Sequence, residues 1–136
     1  MPSQSIFLAD GFDEEYTALD GVTYKLQPED IVITNQGKPI GIAGVMGGDD
    51  SKILDSTDSI IIECAIFDHV AIRNTARRLN LSTEASVRYQ KGIEPLASKK
   101  ALDRAVQLLI EYADATDRKS TRLNSSHITI SYAVFS

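Results

Sequence analysis

Apolar and polar positions alternate with two different periods along the chain, and the pattern predicts a mixed α+β fold. Compact β-branched runs at residues 31–34 and 59–65 are typical of strands. Residues 39–45 follow the first run after a short polar connection, which predicts a hairpin. Residues 69–79 and 96–112 instead repeat apolar side chains at three- and four-residue steps, as helices do. We therefore expect an α+β fold, a mixed or antiparallel sheet with two packed helices.

Local signals indicate where these helices begin. Asp68 is a good N-cap for the first helix, and Pro95 suits the first turn of the second. The segment 80–86 between them is either a loop or a helix entry, because its Ser and Thr residues do not form a full capping box by sequence alone. The second helix carries an apolar stripe that we expect to be core: Leu102, Ala105, Val106, Leu109, Tyr112 and Ala113.

One carboxylate interrupts the β-branched run at residues 59–65. Glu63 stands among Ile60, Ile61, Ile62 and Cys64. The alternation of a strand either turns it outward or holds it in a cavity. An inward carboxylate costs several kcal/mol unless it is paired or hydrogen-bonded, and a binding pocket is one arrangement that repays this cost.

Four glycines follow the predicted hairpin in the sequence G-I-A-G-V-M-G-G, at Gly41, Gly44, Gly47 and Gly48. Their spacing fits neither a phosphate loop nor a dinucleotide fingerprint. One interpretation is a kinked strand with a bulge and a turn. The other is that missing side chains let a ligand lie directly against the backbone.

Composition limits the classes of function. The chain has 136 residues and a formal net charge of −5, and 43% of its residues are hydrophobic, enough for the core of one domain or part of one. Before residue 118 there are 11 basic and 19 acidic residues, a net charge of −8, whereas residues 118–136 carry +3. Because the body is acidic, it does not supply the broad basic footprint that duplex binding usually needs.

No arrangement typical of a metal or nucleophile site is visible. Cys64 is the only cysteine, and His69 and His127 are the only histidines, so we expect no zinc site and no metal. The aspartates after the glycine run lack the spacing of a calcium loop. The single cysteine fits a reducing cytoplasm, where we expect the protein to reside.

Four ordered motifs carry a resemblance to a known family. They are A-L-D-G, A-G-V-M-G-G, I-I-E-C-A-I-F-D and R-N-T-A-R-R-L-N-L-S-T-E-A-S-V-R-Y-Q-K-G-I-E-P. Together, from about residue 10 to 113, they resemble the central editing domain of the bacterial phenylalanyl-tRNA synthetase beta subunit. We accordingly expect residues 1–116 to be a partial editing domain and residues 117–136 to be a non-homologous tail.

The resemblance implies hydrolysis of mischarged Tyr-tRNA(Phe) in the intact enzyme. It places Glu63 on the carboxylate that contacts the tyrosine hydroxyl and Gly47 on a glycine lining that pocket. It places Thr83 and Ala85 near the aminoacyl ester, Thr83 acting by hydrogen bonding and Ala85 by being small. No catalytic residue is assigned, since the histidine that the family uses in editing lies upstream of Met1. We therefore expect the isolated chain to be inactive.

The same resemblance implies cofactors and partners for the whole enzyme. These are ATP and Mg²⁺, the synthetase alpha subunit in a heterotetramer, and tRNA(Phe), with no membrane contact. Two alternatives remain open on the residues alone: a free-standing deacylase that edits in trans, and a non-catalytic scaffold for tRNA or subunit docking.

The tail, residues 117–136, changes composition sharply. It is similar to peptides translated from adapter or vector sequence, so we expect an artefact of low order. Ile128, Ile130, Tyr132 and Val134 nevertheless alternate in the manner of a strand.

Overall fold

The computed structural model of the chain describes the backbone of residues 4–8, 15–124 and 128–135, and the side chains of residues 15–117. Nine strands and three α-helices lie within these ranges. In chain order they are β1 (Gln4–Leu8), β2 (Glu15–Thr17), β3 (Thr23–Lys25), β4 (Ile31–Asn35), β5 (Lys38–Ile42), β6 (Met46–Gly47), β7 (Ile60–Phe67), α1 (His69–Arg78), α2 (Glu84–Tyr89), α3 (Pro95–Ala113), β8 (Asp117–Asn124) and β9 (Ile128–Phe135). No helix within the described ranges is long and apolar enough to cross a membrane.

The chain divides into two compact units. The first comprises Met1–Ile53 and His69–Lys91, and the second comprises Leu54–Asp68 and Gly92–Ser136. Every pair of neighbouring strands is antiparallel. The predicted α+β class with antiparallel pairing is therefore confirmed, although the described strands form three sheets.

The first unit contains the predicted hairpin. Its larger sheet has the strand order β1-β4-β5-β6, and β2 pairs with β3. Gln36 and Gly37 join β4 to β5 with φ values of 51° and 77°. Positive φ at both residues of a two-residue loop gives the turn whose twist matches that of paired strands. Pro39 lies at the start of β5, one residue after Lys38, so it interrupts the ladder where the predicted hairpin begins.

The apolar face of α1 differs from the prediction. The periodicity of residues 69–79 predicts an apolar face made of Val70, Ile72, Ala76 and Leu79. Ile72 and Ala76 are buried and Leu79 is partly buried, but Val70 is 47% exposed and the polar Thr75 is buried. A buried threonine is tolerated because its hydroxyl donates to Asp30 at 2.6 Å. The other buried apolar residues of this unit lie on strands and their connections: Tyr16, Ala18, Leu26, Ile31, Val32, Ile42, Ala43 and Val45.

In the second unit, α3 packs on β7. Leu102, 7% exposed, contacts Ile60, Ile62 and Cys64. The expectation that the whole apolar stripe of α3 is core is wrong, because Tyr112 is 77% exposed and Ala113 is also exposed. Tyr112 follows Leu102 by ten residues, which turns it about 80° away around the helix axis.

The described residues of the tail, for which low order was expected, form two strands, and low order stays a prediction. β8 and β9 are both strands of the second unit, and β9 lies between β7 and β8. The register pairs Ile61 with Val134 and Glu63 with Tyr132. β9 pairs with β7 along the whole of β7, while β7 itself lies at the edge of this three-stranded sheet. The artefactual origin of residues 117–136 stays a prediction.

Candidate functional site

Glu63 lies at the middle of β7 in the second unit and is partly buried. Its neighbours Ile62 and Cys64 pack with Leu102 of α3, so the alternation of the strand puts the Glu63 side chain on the opposite face. Burial raises the pKa of the Glu63 carboxyl to about 7, because removing water disfavours the charged form. Near neutral pH, therefore, both the carboxylate and the neutral acid are populated.

The glycine hairpin, defined here as residues 41–48, belongs to the first unit. β5 and β6 pair through Gly41–Gly47 and Ile42–Met46. Gly44 turns the connection with φ 65°, and the Val45 amide donates to the Ile42 carbonyl at 3.0 Å. Gly44 is therefore explained by the turn, since its conformation is one that side chains disfavour.

Gly47 and Gly48 are neighbours with different surroundings. A Cβ placed on Gly48 would lie 2.2 Å from the Tyr16 hydroxyl and 2.8 Å from the Ile40 carbonyl oxygen. A Cβ placed on Gly47 would meet no atom of the described residues within 4 Å, and Gly47 is exposed with a non-positive φ. Packing thus explains the glycine at 48, whereas neither packing nor backbone conformation explains the one at 47. An unexplained glycine is expected where a ligand approaches the backbone.

Thr83 and Ala85 lie at the start of α2, also in the first unit. The segment that sequence analysis left open forms a complete capping box. The Ser86 amide donates to the Thr83 hydroxyl at 3.0 Å, and the Thr83 amide donates to Ser86 Oγ at 2.9 Å. Ser86 is fully buried, and Ala85 is partly buried in the first helical turn. Serine here performs the role that glutamate or glutamine usually performs at the third helical position.

One hydrogen bond joins this cap to the glycine hairpin. The Thr83 hydroxyl donates to the Val45 carbonyl at 2.7 Å, across 38 residues of sequence. The structure therefore brings Thr83 and the hairpin containing Gly47 together within the first unit. Glu63 belongs to the second unit.

Asp30, which directly precedes β4, is a buried acidic residue that organises the first unit. Asp30 is 2% exposed and accepts hydrogen bonds from the Gln27 amide at 2.8 Å, from Thr75 and from Arg78. Arg78 also donates to the Lys25 carbonyl at 3.0 Å. The polar residues of α1 therefore tie the helix to the segment between β3 and β4. An aspartate just before a strand was the available signal, but its distant partners were not visible in the sequence.

No described group of side chains suits a metal ion. Among the residues with described side chains, no three His, Cys, Asp or Glu residues are grouped as ligands would be. Cys64 uses its thiol to donate to the Ser98 carbonyl at 3.1 Å, and burial raises its pKa.

Comparison with known families matches residues 5–114 to the B3/4 domain. The chain belongs to the B3/4 domain family. The matched range extends across both packing units, so this B3/4 domain includes β7 with Glu63 as well as the glycine hairpin and α2.

Individual relatives of the B3/4 domain agree with the resemblance found in the motifs. The phenylalanine–tRNA ligase beta subunit of Staphylococcus saprophyticus is 54% identical over 101 residues, which is 74% of this chain and 13% of the relative. The beta subunit of Staphylococcus haemolyticus is 47% identical over 131 residues, 93% of this chain and 16% of the relative. The predicted resemblance is confirmed, and the chain spans about an eighth of the length of the first of these relatives.

Proposed function

We propose that this B3/4 domain is the editing part of a phenylalanine–tRNA ligase beta subunit, in which it hydrolyses Tyr-tRNA(Phe). The observation that supports this proposal most is the carboxyl of Glu63, kept partly buried in an apolar strand with its pKa raised to about 7. A carboxyl is a strong acceptor for a phenolic hydroxyl. Its burial costs free energy unless such a donor arrives.

The proposed selectivity follows from that acceptor. Tyrosine donates its hydroxyl to Glu63, whereas phenylalanine leaves the carboxyl without a partner. Sites built to hydrogen-bond a hydroxyl discriminate strongly against analogues that lack it, while an apolar pocket rejects an added hydroxyl poorly. Editing after charging therefore recovers the selectivity that a phenylalanine pocket lacks.

The other three residues are assigned to the same substrate. Gly47 leaves its backbone open to the ligand, and Ala85 admits the aminoacyl ester because its side chain is small. Thr83 lies two residues before Ala85, donates to the Val45 carbonyl of the glycine hairpin, and is assigned to the ester end of the substrate. No side chain is assigned as nucleophile or base, so the proposed hydrolysis relies on positioning substrate and water.

For the intact ligase we propose the alpha subunit as partner and tRNA(Phe) as substrate. ATP and Mg²⁺ serve its charging reaction. Among the described side chains, no three potential metal ligands are grouped together. The proposed hydrolysis assigns a role to neither cofactor.

The test uses a chimaeric ligase in which residues 5–114 replace the matching segment of the Staphylococcus saprophyticus beta subunit, produced with its alpha subunit. Glu63→Ala removes the proposed acceptor. Gly47→Trp fills the space beside the Gly47 backbone that the substrate is proposed to occupy. Each is expected to lower the deacylation of Tyr-tRNA(Phe) about 100-fold while Phe-tRNA formation is unchanged. Glu111→Ala is the matched control, because Glu111 is an exposed glutamate of the same unit as Glu63.

Unchanged deacylation in both Glu63→Ala and Gly47→Trp contradicts the assignment of the site. If the chimaera charges phenylalanine but never deacylates Tyr-tRNA(Phe), the domain is a docking scaffold and the proposed function is wrong.

A further inference from the structure

The hydroxyl of Thr83 has its donor already committed inside the protein. A threonine hydroxyl offers one donor and two acceptor lone pairs. The donor goes to the Val45 carbonyl at 2.7 Å, and one lone pair accepts from the Ser86 amide at 3.0 Å. One lone pair remains, so Thr83 has no proton to donate to the carbonyl or ester oxygen of an aminoacyl group.

The carbonyl that Thr83 holds belongs to a well-anchored part of the glycine hairpin. Val45 is 2% exposed, and its amide donates to the Ile42 carbonyl at 3.0 Å. Two residues later, the Gly47 carbonyl accepts from the Leu19 amide at 2.9 Å, and the Gly48 amide donates to the Ile40 carbonyl at 3.0 Å. Fixing Val45 therefore restrains the backbone immediately before Gly47.

The cap of α2 holds the Thr83 hydroxyl in place. The reciprocal Ser86 bonds fix the backbone of Thr83, which has the extended conformation of a helix N-cap, φ −95° and ψ 161°. A β-branched side chain has few χ1 rotamers, so the hydroxyl stays directed at its two partners. The Thr83–Val45 hydrogen bond thereby connects the glycine hairpin to the start of α2.

We propose that Thr83 is a positioning residue that holds the glycine hairpin against the N-terminus of α2, and that it contributes to editing through Val45 and Gly47. This inference rests on the proposed function for its catalytic part. Its structural part is independent of any substrate.

The structural part is tested by amide hydrogen exchange in the full 136-residue chain. Thr83→Val keeps the shape of the side chain and removes both hydrogen bonds. Exchange of the Leu19 and Gly48 amides, both bonded to the hairpin, is expected to accelerate about fivefold, as for the loss of one net hydrogen bond. Exchange of the Asp30 amide, which donates to the Gln27 carbonyl at 3.0 Å in the same unit, is expected to be unchanged, which shows that this unit remains folded.

Two further variants distinguish the effect of the Thr83–Val45 hydrogen bond from the effect of the capping box. Thr83→Ser keeps the hydroxyl and should exchange like the wild type. Ser86→Ala weakens the same cap but leaves the Thr83–Val45 bond, so the Leu19 and Gly48 amides should again exchange as in the wild type. If Thr83→Val leaves these two amides unchanged, or if Ser86→Ala accelerates them equally, the positioning role is wrong.

The catalytic part is tested in the chimaeric ligase. Thr83→Val is expected to lower kcat/KM for Tyr-tRNA(Phe) deacylation at least fivefold, in line with the exchange result, and Thr83→Ser to restore it. A Thr83→Val variant with a loosened hairpin and wild-type deacylation refutes the catalytic part. A wild-type chimaera without deacylation refutes the proposed function, and the exchange measurement still decides whether Thr83 holds the hairpin.

Discussion

Replacing Gly48 by alanine should destabilise the protein, whereas the same change at Gly47 should not. The new Cβ at position 48 would lie 2.2 Å from the Tyr16 hydroxyl and 2.8 Å from the Ile40 carbonyl oxygen, both inside van der Waals contact. Tyr16 is 8% exposed, so its ring has little room to move. The Ile40 carbonyl accepts from the Gly48 amide at 3.0 Å and from the Ser51 hydroxyl at 2.9 Å, so it is held in place.

The magnitude follows from comparing the two variants. Forcing an extra methyl into a packed site costs about 1–3 kcal/mol. A glycine-to-alanine change also restricts the unfolded chain, which stabilises the fold by about 0.4–1 kcal/mol where the backbone conformation is compatible. Neither glycine has a positive φ, so this second contribution is shared by Gly47→Ala and Gly48→Ala. The difference between their free energies of unfolding should therefore be about 1–3 kcal/mol.

Urea unfolding of the full chain, monitored by circular dichroism, measures this difference. Tyr16→Phe identifies its origin, because it removes the nearest atom of the clash. The Tyr16 hydroxyl is buried without a hydrogen-bond partner among the described residues, so losing it costs little by itself. In a double-mutant cycle, Tyr16→Phe should recover about half of the cost of Gly48→Ala. Equal stabilities for Gly47→Ala and Gly48→Ala, or no coupling to Tyr16, would falsify the distinction drawn between the two glycines.

Two further predictions concern buried charge. Because burial raises the pKa of Glu63 from 4.5 to about 7, the folded state binds this proton more tightly than the unfolded state, so the contribution of Glu63 to stability is fully present below pH 4.5 and is lost as the pH rises through 7. This loss of stability is at most about 3 kcal/mol. Glu63→Gln should abolish the pH dependence when urea unfolding is measured across this range, and a pH profile of stability that is unchanged in this variant contradicts the prediction. Asp30→Ala should cost about 3 kcal/mol at neutral pH because it leaves Arg78 and Thr75 without their acceptor, compared with about 1 kcal/mol for Thr75→Val. Equal unfolding free energies for Asp30→Ala and Thr75→Val contradict the role of Asp30 as the shared acceptor for Arg78 and Thr75.

Features specified by local chemistry could be predicted from the sequence. The β4–β5 hairpin follows from turn residues that accept positive φ, and α3 begins at Pro95 because proline suits a first helical turn. Glu63 was identifiable because a lone carboxylate among β-branched residues is unusual in either orientation. In each case the deciding interaction lies within a few residues of the chain.

Features specified by distant partners could not be predicted. The pairing of β9 with β7 joins segments about 70 residues apart, and α3 exposes Tyr112 because only part of its apolar stripe meets the strand. The capping box at Thr83 was missed because serine occupies the position where glutamate is usual. Gly47 and Gly48 are adjacent and chemically identical, so only the position of Tyr16 distinguishes them.

Under the proposed function, the recognition of a phenolic hydroxyl depends on which of the four assigned residues still has a side-chain acceptor to offer. Thr83 has its donor committed to Val45 and an acceptor committed to Ser86, and Gly47 and Ala85 have no side-chain polar group. Among the four assigned residues, only Glu63 offers an acceptor strong enough to separate tyrosine from phenylalanine. A phenol that donates to the carboxylate stabilises its ionised form, so binding of tyrosine opposes the burial that raises the pKa of Glu63. Under the proposed function, the selectivity for tyrosine therefore depends on the Glu63 carboxyl.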